Sequence, residues 1–210
     1  MHLVQKLSQK DWRRQNEKDP VLCPLSLLKA YIGFDTSIVW IQISGASLLS
    51  GLEIASKTYG QPGSKIYNDL QGVSEVRDII AASPKRAVDH TIRNLTSSQP
   101  HIRTAIVYGP LIYGKGRGPI NQRSIQIPDL AKAILQYGHG IHVGRGLNAW
   151  NSIHITDLTR LIVRLVIEAS RPINPLLWNE NGIFFAESGK MVSKTSFLSS
   201  SAFIKAFSLL

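Results

Sequence analysis

Residues 38–44 read Ile-Val-Trp-Ile-Gln-Ile-Ser, and Gly45 follows them directly. β-Branched and aromatic side chains fill almost every position of this run, which favours a strand over a helix. A nearly continuous apolar run is typical of a strand that is buried on both faces of a parallel sheet. The sequence therefore predicts such a strand here, and the elements around it decide the fold class.

Outward from this strand, helix and strand patterns alternate along the chain. Residues 45–70, rich in Gly and Ser, predict a long loop. Helices are predicted from apolar spacing or capping residues around Val73–Ile80, after Ser83-Pro84, after Pro128-Asp129 and after Thr156-Asp157. Further strands are predicted at Ile102–Tyr108, Ile141–Val143 and Gly182–Ala186. This alternation predicts an α/β fold with a mostly parallel sheet.

Composition narrows the class of protein. The chain has 210 residues, of which 43% are hydrophobic and 18% charged, so it has enough apolar surface for one core. Its 24 Lys and Arg exceed its 14 Asp and Glu by ten, which favours acidic partners such as phosphates. The interpretation of the chain as a nucleic-acid binder depends on this charge alone, because the sequence has no recognition motif and no surface pattern of alternating basic and aromatic residues.

Cysteine content and hydropathy predict a cytoplasmic protein. The single Cys23 excludes an internal disulfide and a thiolate metal site, which fits a reducing compartment. No run approaches the roughly 20 apolar residues of a membrane-spanning helix, and the first residues lack the apolar core of a secretory signal. We therefore expect no membrane partner and no bound metal.

The chain divides into three parts by composition. Residues 1–35 form a polar arm of mixed charge, residues 36–187 carry the strand and helix patterns, and residues 188–210 form a Ser-rich apolar tail without an acidic residue. The middle part is the predicted domain.

Three segments of this domain carry a family resemblance. They are Ile43-Ser-Gly45 after the first strand, Ile106-Val-Tyr-Gly-Pro-Leu-Ile-Tyr-Gly114, and Ser152-Ile-His-Ile-Thr-Asp157 before a helix. In order and spacing they resemble the extended and atypical short-chain dehydrogenase/reductases, particularly the NAD-dependent nucleotide-sugar epimerases and dehydratases. The resemblance implies a Rossmann-like sheet that binds NAD or NADP, flanked by helices, with a small C-terminal segment on the substrate side.

The resemblance also implies roles for single residues. Ser44 matches a serine that hydrogen-bonds the substrate, although a strand-ending or helix-capping serine would look the same. Four residues match the family's positions beside the nicotinamide and ribose of the cofactor: Tyr108, Gly109, Pro110 and Ile112. The alternative is that they form a simple Gly-Pro turn without a chemical role. Four residues lie where the family builds the substrate side of the site: Lys115, Arg117, Asn121 and Arg123. An Arg there can bind phosphate in bidentate fashion. The alternative is that these residues form a solvated basic loop.

His154 and Asp157 match a family segment in which we expect them to orient the start of a helix. An Asp near a helix N-terminus needs no ligand to explain it.

Two departures from the family predict impaired activity. No Gly-x-Gly-x-x-Gly motif follows a strand, and too few residues precede Ile38 for the opening units of a dinucleotide domain, so we expect an N-terminally truncated member that binds the cofactor weakly. The family's Tyr-x-x-x-Lys pair is also missing, with Ala82 and Arg86 at its positions. Tyr59, Tyr67 or Tyr113 would have to supply the acid.

Two functions follow. The first is an NAD(P)-dependent oxidoreductase or epimerase-like protein, a pseudoenzyme or an impaired enzyme, that acts on a carbonyl, aldehyde or nucleotide-sugar substrate and is compatible with a homodimer. The alternative is a non-enzymatic interaction module derived from the same fold.

Overall fold

The computed structural model describes residues 38–119 and 122–192. The predicted N-terminal arm, Asn121 and most of the predicted tail lie outside the described residues. In chain order the strands and helices are β1 (Ile38–Gly45), α1 (Gly51–Ser56), α2 (Val73–Ala81), α3 (Ala87–Ser98), β2 (Ile102–Gly109), β3 (Leu111–Tyr113), α4 (Gln126–Tyr137), β4 (Ala149–His154), α5 (Ile155–Ala169), β5 (Ile183–Phe185) and β6 (Gly189–Val192). Short 3₁₀ helices lie at Ala46–Ser50, Pro175–Leu177 and Asn179–Asn181.

The main sheet contains three parallel strands in the order β1-β2-β5. Helices flank it, and the predicted α/β class with a parallel sheet is confirmed. Ser44 of β1 lies opposite Tyr108 of β2, and Gly45 lies opposite Gly109. The carboxyl ends of these strands meet at one edge of the sheet, where open α/β sheets bind their ligands.

The central strand is β2, and its side chains enter two cores by strict alternation. Ile106 and Tyr108 pack on one face with residues of α2 and α3. Ala105 and Val107 pack on the other face with residues of α5. The prediction that β1 is buried on both faces is wrong, because β1 is only half-buried and Ile43 is 49% exposed. Within the described residues β1 pairs with β2 alone, so it lies at an edge.

The two helices that the apolar spacing predicts before β2 are formed, as α2 and α3. The boundary between them differs from the predicted one. Ser83 does not cap α3, whose N-cap is Arg86. The Ser83 hydroxyl instead donates to the carbonyl oxygen of Ile79 at the end of α2, over 2.7 Å. The same side chain therefore closes the preceding helix. The predicted loop 45–70 also contains α1 and a 3₁₀ helix.

A second sheet has the order β3-β4-β6, with β3 and β4 parallel and β4 and β6 antiparallel. The strand predicted at Ile141–Val143 is not formed. This segment instead crosses the loop at Gly60, whose carbonyl oxygen accepts a hydrogen bond from Leu147 N. A β-carbon on Gly60 would lie 2.0 Å from the oxygen of Val143, so the crossing requires a glycine at this position.

Helices α4 and α5 begin slightly earlier than predicted, at Gln126 and Ile155. Leu158 and Leu165 of α5 are buried against the main sheet. Among the described residues, no helix is both long and apolar enough to cross a membrane.

Candidate functional site

The candidate site lies at the carboxyl ends of β1 and β2 and centres on a buried carboxylate, Asp89. Only 2% of Asp89 is exposed. Its Oδ2 atom accepts two hydrogen bonds, from the Ser44 hydroxyl and from the Tyr108 hydroxyl, each over 3.1 Å. A helix and two strands are therefore joined at one oxygen atom.

The position of Asp89 in α3 explains why a carboxylate can be buried here. Asp89 lies in the first turn of the helix, where free backbone N–H groups and the helix dipole stabilise negative charge. Sequence reasoning assigned Asp89 no role in the site. The available signal was its spacing, because Asp89, Ile92 and Leu95 share one face of α3 at intervals of three residues, and both apolar members are buried.

The same contacts keep the Tyr108 phenol protonated. Burial raises the pKa of Tyr108 above its ordinary value, and the neighbouring Asp89 carboxylate raises it further by charge repulsion and by accepting a hydrogen bond from the phenol. The Tyr108 hydroxyl is thus a fixed donor and a poor proton source. The Ser44 hydrogen is also directed to Asp89, so neither hydroxyl is free to donate to a substrate carbonyl in this arrangement.

Arg86 lies beside these strand ends. Its guanidinium donates a 2.9 Å hydrogen bond to the Ser47 hydroxyl, and one nitrogen would lie 3.8 Å from a β-carbon placed on Gly45. Arg86 occupies the position predicted for the family lysine and carries a permanent positive charge. Ala82, at the tyrosine's position, is the exposed C-cap of α2.

The four residues predicted to hold the cofactor lie at the end of β2 and in the segment that continues through β3. Tyr108 and Gly109 are buried, while Pro110 and Ile112 are half-buried, and Ile112 packs against the core formed with α5. Tyr108, Gly109 and Ile112 are thus committed to packing. The groups that they leave for a bound dinucleotide are mainly backbone atoms. No Gly-x-Gly-x-x-Gly turn occurs in the sequence to seat a pyrophosphate at a helix N-terminus. The described residues therefore include no such glycine-rich seat for a pyrophosphate.

The residues predicted for the substrate side separate into two groups. Lys115 and Arg117 line a surface cavity of about 450 Å³, together with Gly116, Gln122, His154 and Thr156. Arg123 is not in this lining and pairs with Asp129 over 3.1 Å. Asn121 lies outside the described residues.

His154 connects this cavity to α5. Its Nδ1 accepts a 3.2 Å hydrogen bond from Thr156 N, so His154 caps the helix, and the interpretation that it orients the helix start is confirmed. The Tyr113 ring meets the His154 ring edge to face, with 5.2 Å between centroids. Asp157 pairs with Arg160 over 2.8 Å. Sequence reasoning missed that His154 and Thr156 share a cavity with Lys115 and Arg117.

The three tyrosines proposed as substitute acids have different surroundings. Lys65 Nζ lies 5.7 Å from the centroid of the Tyr67 ring, but its charge is paired with Glu75 over 2.6 Å. Burial raises the pKa of Tyr67, and the carboxylates of Glu53 and Glu75 raise it further. A catalytic tyrosine needs a lowered pKa, so this contact does not replace the missing pair. Tyr59 is exposed, and Tyr113 packs on His154.

Comparison with known proteins places the fold. No family model matches the chain. It is 28% identical to Oxidase ucsJ of Acremonium sp over 160 residues, which are 72% of this chain and 46% of that protein. The chain therefore spans about half the length of this relative.

Two solved structures are similar in fold. UDP-N-acetylglucosamine 4-epimerase from Methanobrevibacter ruminantium M1, in complex with UDP-N-acetylmuramic acid, has a TM-score of 0.55 at 13% identity, over 98% of this chain and 59% of that one. UDP-glucuronic acid 4-epimerase from Bacillus cereus, in complex with UDP-glucuronic acid and NAD, has a TM-score of 0.51 at 18% identity, over 92% of this chain and 53% of that one. The chain shares its Rossmann-like fold with these two epimerases, so the predicted fold is confirmed.

Proposed function

We propose that the chain is an NAD(P)-dependent oxidoreductase or epimerase-like protein with an impaired catalytic centre. Its substrate is a carbonyl compound or a nucleotide sugar, bound near the carboxyl ends of β1 and β2. The fold supports this proposal, as do the relatives, one of which is an oxidase and two of which are epimerases with bound UDP-sugars. NAD is bound in one of those epimerases, which supports the same cofactor class here.

The observation that supports an impaired catalytic centre is the pair of hydrogen bonds that Asp89 accepts. Reduction of a carbonyl needs a hydride from the cofactor and a proton from an acid. The two hydroxyls nearest the strand ends, on Ser44 and Tyr108, both donate to Asp89. Arg86 supplies positive charge beside them, but a guanidinium does not act as an acid in proteins. Ser44 can therefore orient a substrate after leaving Asp89, but none of these three described side chains completes the proton transfer.

We expect the purified chain to reduce small aldehydes with NADPH roughly 10²- to 10⁴-fold more slowly than a reductase with a working acid, which is the usual contribution of acid/base catalysis. Ser44→Ala should lower this residual rate by less than about tenfold, since Ser44 only orients the substrate. The rate is measured as loss of NADPH absorbance. Ser98→Ala, at the other end of α3, is the matched control.

A different result would overturn this account. If the chain reduces aldehydes at an ordinary enzyme rate, and Tyr59→Phe, Tyr67→Phe or Tyr113→Phe abolishes the activity, a displaced tyrosine supplies the proton. The catalytic centre would then be intact in a new arrangement.

A non-enzymatic interaction module is the second candidate. The observation that favours it is the same one, because hydroxyls held by a buried carboxylate stabilise strand ends whether or not a substrate binds. The two candidates differ in a simple measurement. The module predicts that a nucleotide sugar leaves the melting temperature unchanged, whereas a substrate-binding protein is stabilised by its ligand.

A further inference from the structure

Strand β1 presents one row of backbone hydrogen-bonding groups that faces no partner strand among residues 38–119 and 122–192. In a parallel strand the N–H and C=O groups of one residue point to the same side, and successive residues alternate between the two sides. Ile38 N donates to the carbonyl oxygen of His101, just before β2, so Ile38 and every second residue after it face β2. The groups that point to the opposite side, which we call the outer edge, belong to Val39, Ile41 and Ile43.

The outer edge lacks the features that usually keep the edge of a sheet from pairing. A lysine, a proline or a β-bulge commonly protects such an edge. Residues 38–44 contain no charged residue and no proline, and β1 stays in register with β2 over its whole length, without a bulge. The Gln42 amide donates to the carbonyl oxygen of Ile43 over 2.9 Å, but this oxygen keeps a second lone pair. The strand is therefore a template for pairing with another strand.

A second copy of the same strand fits the outer edge. The formal net charge of +10 opposes association of two copies in general, but residues 36–52 contain no charged side chain, so the two strands do not repel each other. A two-fold axis at Ile41 makes the two strands antiparallel, with Ile41 opposite its own copy and Val39 opposite Ile43. Because these residues all have their N–H and C=O groups on the outer edge, each opposing pair exchanges two hydrogen bonds.

The side chains match in the same arrangement. The axis is perpendicular to the sheet, so each face of one sheet continues into the same face of the other. Val39 and Ile41 pack on the α5 side of the sheet, and Ile43 points to that side by alternation. Opposing pairs on this face are therefore Val39 with Ile43 and Ile41 with Ile41, and cross-strand pairs of β-branched residues stabilise a sheet.

We infer that two copies of this chain associate through the outer edge of β1 into one six-stranded sheet, in the order β5-β2-β1-β1-β2-β5. The contact uses the same edge of both copies, so the assembly closes at two chains and does not grow into a filament. The inference goes beyond the proposed function, because it gives a surface and a register to the homodimer with which the sequence is compatible.

Sedimentation velocity of the full chain at micromolar concentration measures the assembly. We expect a species with twice the mass of one chain. Ile43→Lys should convert it to single chains, because an ammonium group would then enter each paired edge, and a lysine is a usual protection of sheet edges. Val163→Lys is the matched control. It adds the same charge on α5 at nearly the same exposure, 50% against 49% for Ile43, and should remain paired.

A cross-link tests the register. The single cysteine is first removed by Cys23→Ser, and Ile41→Cys is added, since the axis places position 41 opposite itself. Hydrogen-bonded antiparallel pairs have Cα atoms about 5.5 Å apart, a separation that a disulfide can span. We expect Cys23→Ser/Ile41→Cys to form a linked dimer under mild oxidation, seen on a non-reducing gel. Cys23→Ser/Val163→Cys should stay unlinked.

Three results would overturn the inference. The first is an unaltered chain that sediments as a monomer, which would mean that the outer edge is covered within the chain or stays unpaired. The second is an Ile43→Lys variant that remains paired, or a Val163→Lys variant that dissociates, since the contact would then lie elsewhere. The third is no cross-link at position 41. Melting curves show whether each variant is folded, and the cross-link decides if Ile43→Lys unfolds. None of these readings involves a cofactor or turnover.

Discussion

Replacing Asp89 with alanine is expected to lower the free energy of unfolding by about 2–6 kcal/mol. The buried Tyr108 hydroxyl and the half-buried Ser44 hydroxyl then lose their acceptor, and each loss costs roughly 1–3 kcal/mol. Ser44 and Tyr108 both donate to this carboxylate, and Tyr108 is only 1% exposed. For a chain of this length the melting temperature should fall by roughly 5–20 °C.

The matched control is Asp129→Ala, which removes an exposed carboxylate that pairs with Arg123. Surface ion pairs contribute little, so its melting curve should follow that of the unaltered chain. Tyr108→Phe should fall between the two, since it removes one donor and leaves Ser44 bonded to Asp89. Coincident melting of Asp89→Ala and the unaltered chain would show that this carboxylate does not hold the strand ends together.

Leu165→Asp is expected to abolish cooperative folding. Leu165 is 3% exposed and packs in the core between α5 and the main sheet. Truncation of a buried leucine alone costs about 2–5 kcal/mol, and an unpaired charge in the same space adds several more. The sum is comparable to the whole stability of a typical domain, about 5–15 kcal/mol.

The neighbouring residue supplies the control. Val166 is 56% exposed on the outer side of the same helix, so Val166→Asp should remain folded, with a melting transition close to that of the unaltered chain. The measurement is thermal unfolding followed by circular dichroism. A folded Leu165→Asp variant would mean that this face of α5 does not pack on the sheet.

The sequence predicted those elements whose patterns are set locally. The apolar runs at β1 and β2 and the apolar spacing in α2, α3 and α5 are confirmed by the structure. β4 was missed because half of its residues are exposed and its pairing comes from β3 and β6, which are distant in sequence. The burial of β1 was overestimated because an apolar run does not reveal how many neighbours a strand has.

The candidate site was predictable in its parts and not in its assembly. Ser44 and Tyr108 were identified from a resemblance, but their common partner Asp89 lies 45 residues from one and 19 from the other. Lys115 and Arg117 were grouped with Arg123 because they share a basic loop. Only the folded loop separates them, since Arg123 turns to Asp129. Long-range contacts of this kind leave no local pattern in a sequence.

Titration of the purified chain with NADH, with calorimetric detection, tests the central claim most directly. The Bacillus cereus epimerase, whose structure contains NAD, is the positive control. We predict no saturation at micromolar NADH, because the sequence has no Gly-x-Gly-x-x-Gly motif to seat the pyrophosphate and the side chains of Tyr108 and Ile112 are committed to packing. A saturable curve with a micromolar dissociation constant would contradict the account of an impaired dinucleotide-dependent protein.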